Sequence, residues 1–219
     1  MTTSSYTARV KAPAAGQPLV LAFHGTGGNE HQFAGFVEDI LPQAGLVSPR
    51  GDVSEHGALR FFRRTGEGVY DMADLELRTQ KMAAFITAHR QENPGHPVYA
   101  FGYSNGANIL AAVAFRHPEL FDRIALLHPL IPWTPAEQAG LAGKAILLTA
   151  GRRDPICPLP LTEALVTYFN AQGADLSLEI HDGGHEIRQP EIDALASFLS
   201  APQGAGLTKA GLARTDLET

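Results

Sequence analysis

The chain has one cysteine, Cys157, and one tryptophan, Trp133, among its 219 residues. A single cysteine excludes an internal disulfide and a cysteine-rich zinc site. Net charge is -6, and no basic run is longer than the pairs Arg63-Arg64 and Arg152-Arg153. That argues against a nucleic-acid partner, whose surface calls for clustered Lys and Arg. No apolar stretch approaches the ~18 residues of a membrane-spanning helix, so no stable membrane insertion is expected. Met1 to Gly16 contains no apolar signal region. No secretory leader is therefore expected, and the cytoplasm is the default location. No internal repeat is visible.

What is present is an alternation of strand and helix signals. Apolar runs occur at Leu19 to Phe23, Gly45 to Val47, Val98 to Phe101, Ile124 to Leu127, Ala145 to Thr149 and Leu176 to Ile180. Several are nearly continuous, as expected of parallel strands covered on both faces. Helical periodicity lies between them. Asp74 to Arg90 carries Leu75, Met82, Phe85 and Ile86 on one face, with Asp71 or Asp74 as cap. Ala107 to Arg116 stops before His117-Pro118, Leu161 to Gln172 is followed by Gly173, and Pro190 opens the last helix. The pattern predicts an α/β fold: an open, mostly parallel central sheet with helices on both faces. Residues 1–200 read as a single domain and 201–219 as a flexible tail.

Gly102-Tyr103-Ser104-Asn105-Gly106 stands between a strand-like and a helix-like run. That setting makes G-x-S-x-G a candidate nucleophile elbow, a tight turn that exposes a strained serine. Chance alone would produce the motif about 0.1 times in a chain this long, given average Gly and Ser frequencies, so its surroundings must decide. A serine hydroxyl needs a base within reach and an acid to orient that base. Asp154 follows the strand Ala145 to Thr149, and His185 follows Leu176 to Ile180 behind Gly183-Gly184. They stand in the order Ser, Asp, His expected for such sheets. Rivals exist. Asp154 precedes a proline, where Asp also serves as a turn residue. Asp182 and His181 neighbour His185, and His181 reads as structural or exposed. The His181/His185 spacing suits a metal only on a helix, which Gly183-Gly184 disfavour, so no metal is expected.

The run Leu21 to Gly28 takes a strand into the glycine-rich loop His24-Gly25-Thr26-Gly27-Gly28. The N–H of Thr26 and that of Asn105, at a helix N-terminus, are the candidate oxyanion-hole donors. A phosphate loop is disfavoured, since neither G-x-G-x-x-G nor a following Lys-Ser/Thr is present. His24 reads as a structural support.

Four blocks now carry a likeness: H-G-T-G-G at 24–28, G-Y-S-N-G-A-N at 102–108, G-R-R-D-P-I-C-P at 151–158 and D-G-G-H at 182–185. The chain resembles the phospholipase/carboxylesterase group of α/β-hydrolases, which includes acyl-protein thioesterases. Pro49-Arg50-Gly51, Phe61-Phe62-Arg63-Arg64, Leu127-His128-Pro129 and Ile131-Pro132-Trp133 look most like bacterial carboxylesterases of the hydroquinone-stress type. The resemblance implies ester or thioester hydrolysis through an acyl-serine, without a cofactor, and it allows a homodimer. A lysophospholipase or thioesterase is the alternative substrate class, and a non-catalytic ligand sensor the alternative kind of protein. The short segment between Leu127 and Lys144 leaves no room for a large cap domain. Phe61, Phe62 and Trp133 are candidates for an apolar substrate wall, with ordinary core or surface aromatics as the alternative; Arg63 and Arg64 are candidates for an acidic group, with solvated or ion-paired arginines as the alternative. The longest irregular stretch, Gly51 to Tyr70, is expected over the site.

Overall fold

A computed structural model describes residues 5–202. All but the first two residues of the expected tail lie outside the described residues. The elements, in chain order, are β1 (Ala8–Lys11), β2 (Leu19–Phe23), α1 (Ala34–Ile40), β3 (Gly45–Pro49), β4 (Val53–Glu55), β5 (Ala58–Arg60), β6 (Arg64–Gly66), β7 (Val69–Tyr70), α2 (Met72–Glu92), β8 (Val98–Tyr103), α3 (Asn105–Ala114), β9 (Arg123–Leu127), β10 (Ala145–Gly151), α4 (Leu159–Ala171), β11 (Asp175–His181) and α5 (Gln189–Ser200).

Among the described residues, seven strands form one sheet in the order β1-β3-β2-β8-β9-β10-β11. Only β1 is antiparallel to its neighbour. Alternate residues of a strand point to opposite faces, and β2 follows this rule. Leu19, Leu21 and Phe23 enter one core cluster with α2, α3 and α4, while Val20 and Ala22 enter the other with α1 and α5. Both faces are thus covered, which is why the central strands read as unbroken apolar runs. The expected face of α2 is inward, and Asp71 is its cap, its carboxylate accepting from the N–H of Asp74.

The strand order reverses between β2 and β8. From β2 the chain crosses to β3 on one side, and from β8 it proceeds to β9, β10 and β11 on the other. Neighbouring loops leave such a switch point in opposite directions, opening a crevice beyond the carboxyl ends. The register pairs Phe23 with Gly102. The glycine-rich loop and the Ser104 turn therefore emerge side by side.

Two regions differ from the sequence reading. The stretch from Gly51 to Tyr70 is not irregular: β4 pairs with β5 and β6 with β7 as two small antiparallel ribbons. Short strands with His56-Gly57 and Glu67-Gly68 at their turns give too few alternations for periodicity to register. Strand β1 and helix α1 also escaped the pattern, each being short. Between β9 and β10 the segment holds a single 3₁₀ turn, Ala139–Leu141, and no large cap.

Candidate active site

Ser104 sits between β8 and α3 with φ 52° and ψ -117°, a conformation that costs a non-glycine residue about 1–3 kcal/mol. The turn is tight enough to require its glycines. A Cβ at Gly102 would strike the backbone of Gly106, and one at Gly106 would strike the carbonyls of Phe23 and His24. The N–H of Ser104 donates to the carbonyl of Leu127 at the end of β9, 2.8 Å away. The strain is thus held between β2 and β9, and the hydroxyl projects from the sheet's carboxyl edge.

His185 lies in the loop after β11, with Nε2 2.9 Å from Ser104 Oγ and Nδ1 2.7 Å from Asp154 Oδ2. Asp154 lies in the loop after β10, and its Oδ1 accepts the N–H groups of Ile156 at 2.8 Å and Cys157 at 2.9 Å. Burial alone would raise the Asp154 carboxyl. The Cys157 N–H and the imidazoles of His185 and His128 outweigh it and hold Asp154 below its ordinary value. The phenol of Tyr103 donates to the His185 carbonyl at 2.6 Å, fixing the histidine loop. Burial and the charge of Asp154 push that phenol up to about 12, so it remains a donor.

In the glycine-rich loop, the N–H groups of Gly25, Gly27 and Gly28 are taken by Gln32 Oε1, the Leu59 carbonyl and the Gly25 carbonyl. The N–H of Thr26 has no acceptor among the described residues, and that of Asn105 is a free first-turn donor of α3. Both residues line the cavity beside Ser104. His24 braces the loop: its Nε2 accepts from Gly51 N–H at 2.8 Å and its Nδ1 donates to the Gly25 carbonyl at 2.7 Å. Burial lowers its pKa, which keeps the imidazole neutral and the tautomer fixed. Arg60 Nη1 donates to Thr26 Oγ1 at 2.8 Å, clamping the same loop from β5.

The cavity measures about 320 Å³, with Arg60, Arg64, Tyr70, Leu130 and Ile156 in its wall. Of the expected substrate residues Arg64 lines this cavity, and the others are elsewhere. Phe61 and Phe62 are fully buried. The Phe61 ring packs on Phe23 and His24, and the Phe62 ring on Tyr70. Arg63 points away, paired with Asp71 and Asp74, each at 3.4 Å. Trp133 packs edge-on against Tyr70 and lines a second cavity of about 280 Å³ with Leu75 and Phe115. The ribbon geometry explains the difference. It turns the two phenylalanines inward as core and leaves the arginines on either side of them, Arg60 and Arg64, to face the site.

A second buried group lies behind Asp154. His128 Nδ1 is 2.8 Å from the same Oδ2 that receives His185, and its Nε2 is 2.9 Å from Glu191 Oε1. His181 Nε2 is 2.9 Å from Glu191 Oε2. The two Glu191 contacts have ion-pair distances without in-line hydrogen-bond geometry. His181 is buried, which departs from the exposed option, and its Nδ1 accepts from Gly183 N–H. Nothing local in the sequence marks this group, because β9, β11 and α5 each supply one member. His128, Asp154 and His185, and likewise His128, His181 and Glu191, bring three potential metal ligands within 4.8 Å. In both sets, nitrogen and oxygen touch at distances suited to a shared proton.

A mostly parallel sheet, a strained serine at its switch point, and histidine and acid loops from later strands define an α/β-hydrolase. The chain belongs to the Hydrolase_4 family (serine aminopeptidase, S33), which matches residues 14–146. It is 40% identical over 178 residues to MhqD of Bacillus subtilis (strain 168), a protein named as a hydrolase, covering 80% of this chain and 88% of that one. Among solved structures it is similar to the protein Atu2452 of Agrobacterium tumefaciens str. C58, of unknown function. The TM-score there is 0.85 at 54% identity, over 91% of this chain and 98% of that one. It is also similar to a Bacillus cereus carboxylesterase, with TM-score 0.84 and 31% identity, over 90% of this chain and 94% of that one. No helix among the described residues is long and apolar enough to cross a membrane.

Proposed function

We propose that the protein is a serine carboxylesterase acting on short acyl esters through an acyl-serine intermediate. The observation that carries this reading is the continuous chain from Ser104 Oγ to His185 at 2.9 Å and on to Asp154 at 2.7 Å. Its chemistry follows from those contacts. His185 Nε2 takes the hydroxyl proton as Ser104 Oγ attacks the acyl carbon. Charge develops on the acyl oxygen, and the N–H groups of Thr26 and Asn105 are the donors for it. One such donor contributes about 10²–10³ in rate. Asp154 keeps the Nδ1 proton in place and stabilises the imidazolium. His185 then gives its proton to the leaving alcohol. Water enters, loses a proton to His185 and attacks the acyl-serine; the acyl–oxygen bond breaks as His185 returns that proton to Ser104 Oγ, and the acid leaves.

Substrate size follows from the cavity. At about 320 Å³ it is near the small end of ligand pockets, which span about 300–1,000 Å³. Arg60 and Arg64 in its wall disfavour a long apolar chain, so a short ester is preferred to the lysophospholipase or thioesterase alternative. Ser104→Ala should lower p-nitrophenyl acetate turnover on the order of 10⁶-fold, as for removal of a nucleophile that acts as a unit with its base. In the same assay, wild-type rates should fall once the acyl chain exceeds about four carbons, the size limit set by a small pocket. Undiminished turnover by the alanine variant would overturn the mechanism. Rates rising toward palmitate would overturn the substrate class.

A further inference from the structure

His128 is fully buried and has a left-handed backbone, φ 49°. The histidine sits directly after β9, pinned by its N–H to the Thr149 carbonyl at 3.0 Å and by the Cys157 thiol on its own carbonyl at 3.2 Å. A strained, buried, doubly anchored histidine is out of proportion to a packing role.

The proton positions can be worked out from its neighbours. Asp154 Oδ1 receives two backbone N–H groups and Oδ2 receives His185, so its carboxyl has the donors of an ionised group. Glu191 accepts from the Thr149 hydroxyl and, at 2.8 Å, from the Arg188 N–H. His181 spends Nδ1 as an acceptor from Gly183, so its proton is on Nε2, facing Glu191 Oε2 at 2.9 Å. Glu191 is therefore ionised as well. His128 then presents one ring nitrogen to each of two buried carboxylates.

We propose that His128 is an imidazolium at neutral pH that shares the Asp154 carboxylate with His185, and so sets how readily His185 accepts the serine proton. It is a positioning residue, acting through Asp154. In an isolated triad the full carboxylate charge pulls a proton onto the histidine. Here part of that charge is already matched by His128, whose ring centroid is 5.2 Å from that of His185.

The other groups around the pair fit this assignment. The Tyr103 ring stands edge-on to His128, its phenol neutral and bonded to the His185 carbonyl. Cys157 stays a thiol, because burial and the Asp154 charge push its pKa up. Glu186, beside His185, is solvent-facing and bound by Arg188. For His128 itself, burial opposes the charge, and the charges of Glu191 and Asp154, with the Asp154 hydrogen bond, outweigh it, leaving its pKa raised. For Glu191, burial is likewise outweighed by His128, Thr149 and the Arg188 N–H.

The inference rests on the serine-esterase reading. His128→Asn keeps an N–H toward Asp154, tolerates the left-handed backbone and removes the charge. Glu191→Gln removes the anion that holds the second proton. The pH profile of kcat/KM for p-nitrophenyl acetate should show its acid limb displaced upward by about one to two pH units in both variants, the effect of deleting one charge at this distance in a protein medium. Acid limbs that superimpose on wild type, with Ser104→Ala inactive, would overturn the inference and leave the esterase reading intact. An inactive wild type would count against that reading alone. If either variant fails to fold, ¹⁵N NMR of His128 in the wild-type protein at pH 8 decides the point. Two protonated ring nitrogens are expected, and a neutral tautomer overturns the inference.

Discussion

Tyr103 precedes Ser104 in sequence and holds the His185 loop in space. Its hydroxyl is 2.6 Å from the His185 carbonyl, and the two rings are 5.3 Å apart. Such a bond is worth about 1 kcal/mol net, or roughly a fivefold change in rate. Tyr103→Phe should lower kcat by about five- to tenfold and leave KM for p-nitrophenyl acetate almost unchanged, because the phenol supports the base and does not grip the substrate. A raised KM at unaltered kcat would mean that the hydroxyl serves substrate binding instead. At this scale the sequence is uneven. Ser104, Asp154 and His185 each carry local punctuation: flanking glycines, a following proline, preceding glycines. The structure brings these three together. His128 and Glu191 carry none. Their encounter depends on β9 and α5 meeting across β10, which no window of sequence contains. Arg63 shows the converse. It reads in the sequence as a candidate for an acidic group on the substrate, but its guanidinium pairs with Asp71 and Asp74.

At the scale of elements, the parallel strands are the most legible part of the chain, since burial on both faces writes itself as an apolar run. β8 and β10 extend two residues beyond their apolar readings, to Tyr103 and Gly151, because backbone pairing continues where hydrophobicity stops. The ribbons β4-β5 and β6-β7 are illegible for the opposite reason: too few residues alternate before each turn. Phe61 lies between them, fully buried against Phe23 and His24. Its N–H also donates to Asn105 Oδ1 at 2.7 Å, tying the ribbons to the start of α3. Phe61→Ala should cost about 3–5 kcal/mol, as for other buried phenylalanines, measured by urea unfolding. A loss below about 1 kcal/mol would indicate that the ribbon is loosely docked and that Phe61 is not core.

For the whole molecule, the buried charges make stability depend on pH. The carboxyls of Asp154 and Glu191 are depressed in the folded state. Their contribution is complete above the unfolded carboxyl range, about pH 4, and is lost as pH falls through the folded values. The His128 value is raised. Its contribution is complete below the unfolded imidazole value, about 6.5, and is lost as pH rises through the folded value. The contribution of these three groups to the calorimetric Tm should therefore be highest between about pH 4 and 6.5 and decline on both sides. In His128→Asn the alkaline decline attributable to this group should vanish. An alkaline slope equal in the two proteins would remove His128 from the balance.

The central claim is that Ser104 becomes acylated. Mixing the enzyme with p-nitrophenyl acetate and quenching in acid within the first turnover should trap one acetyl group per chain, and digestion followed by mass spectrometry should assign it to Ser104. No adduct at that serine, or an adduct on Cys157 or His185 with Ser104 untouched, would contradict the account.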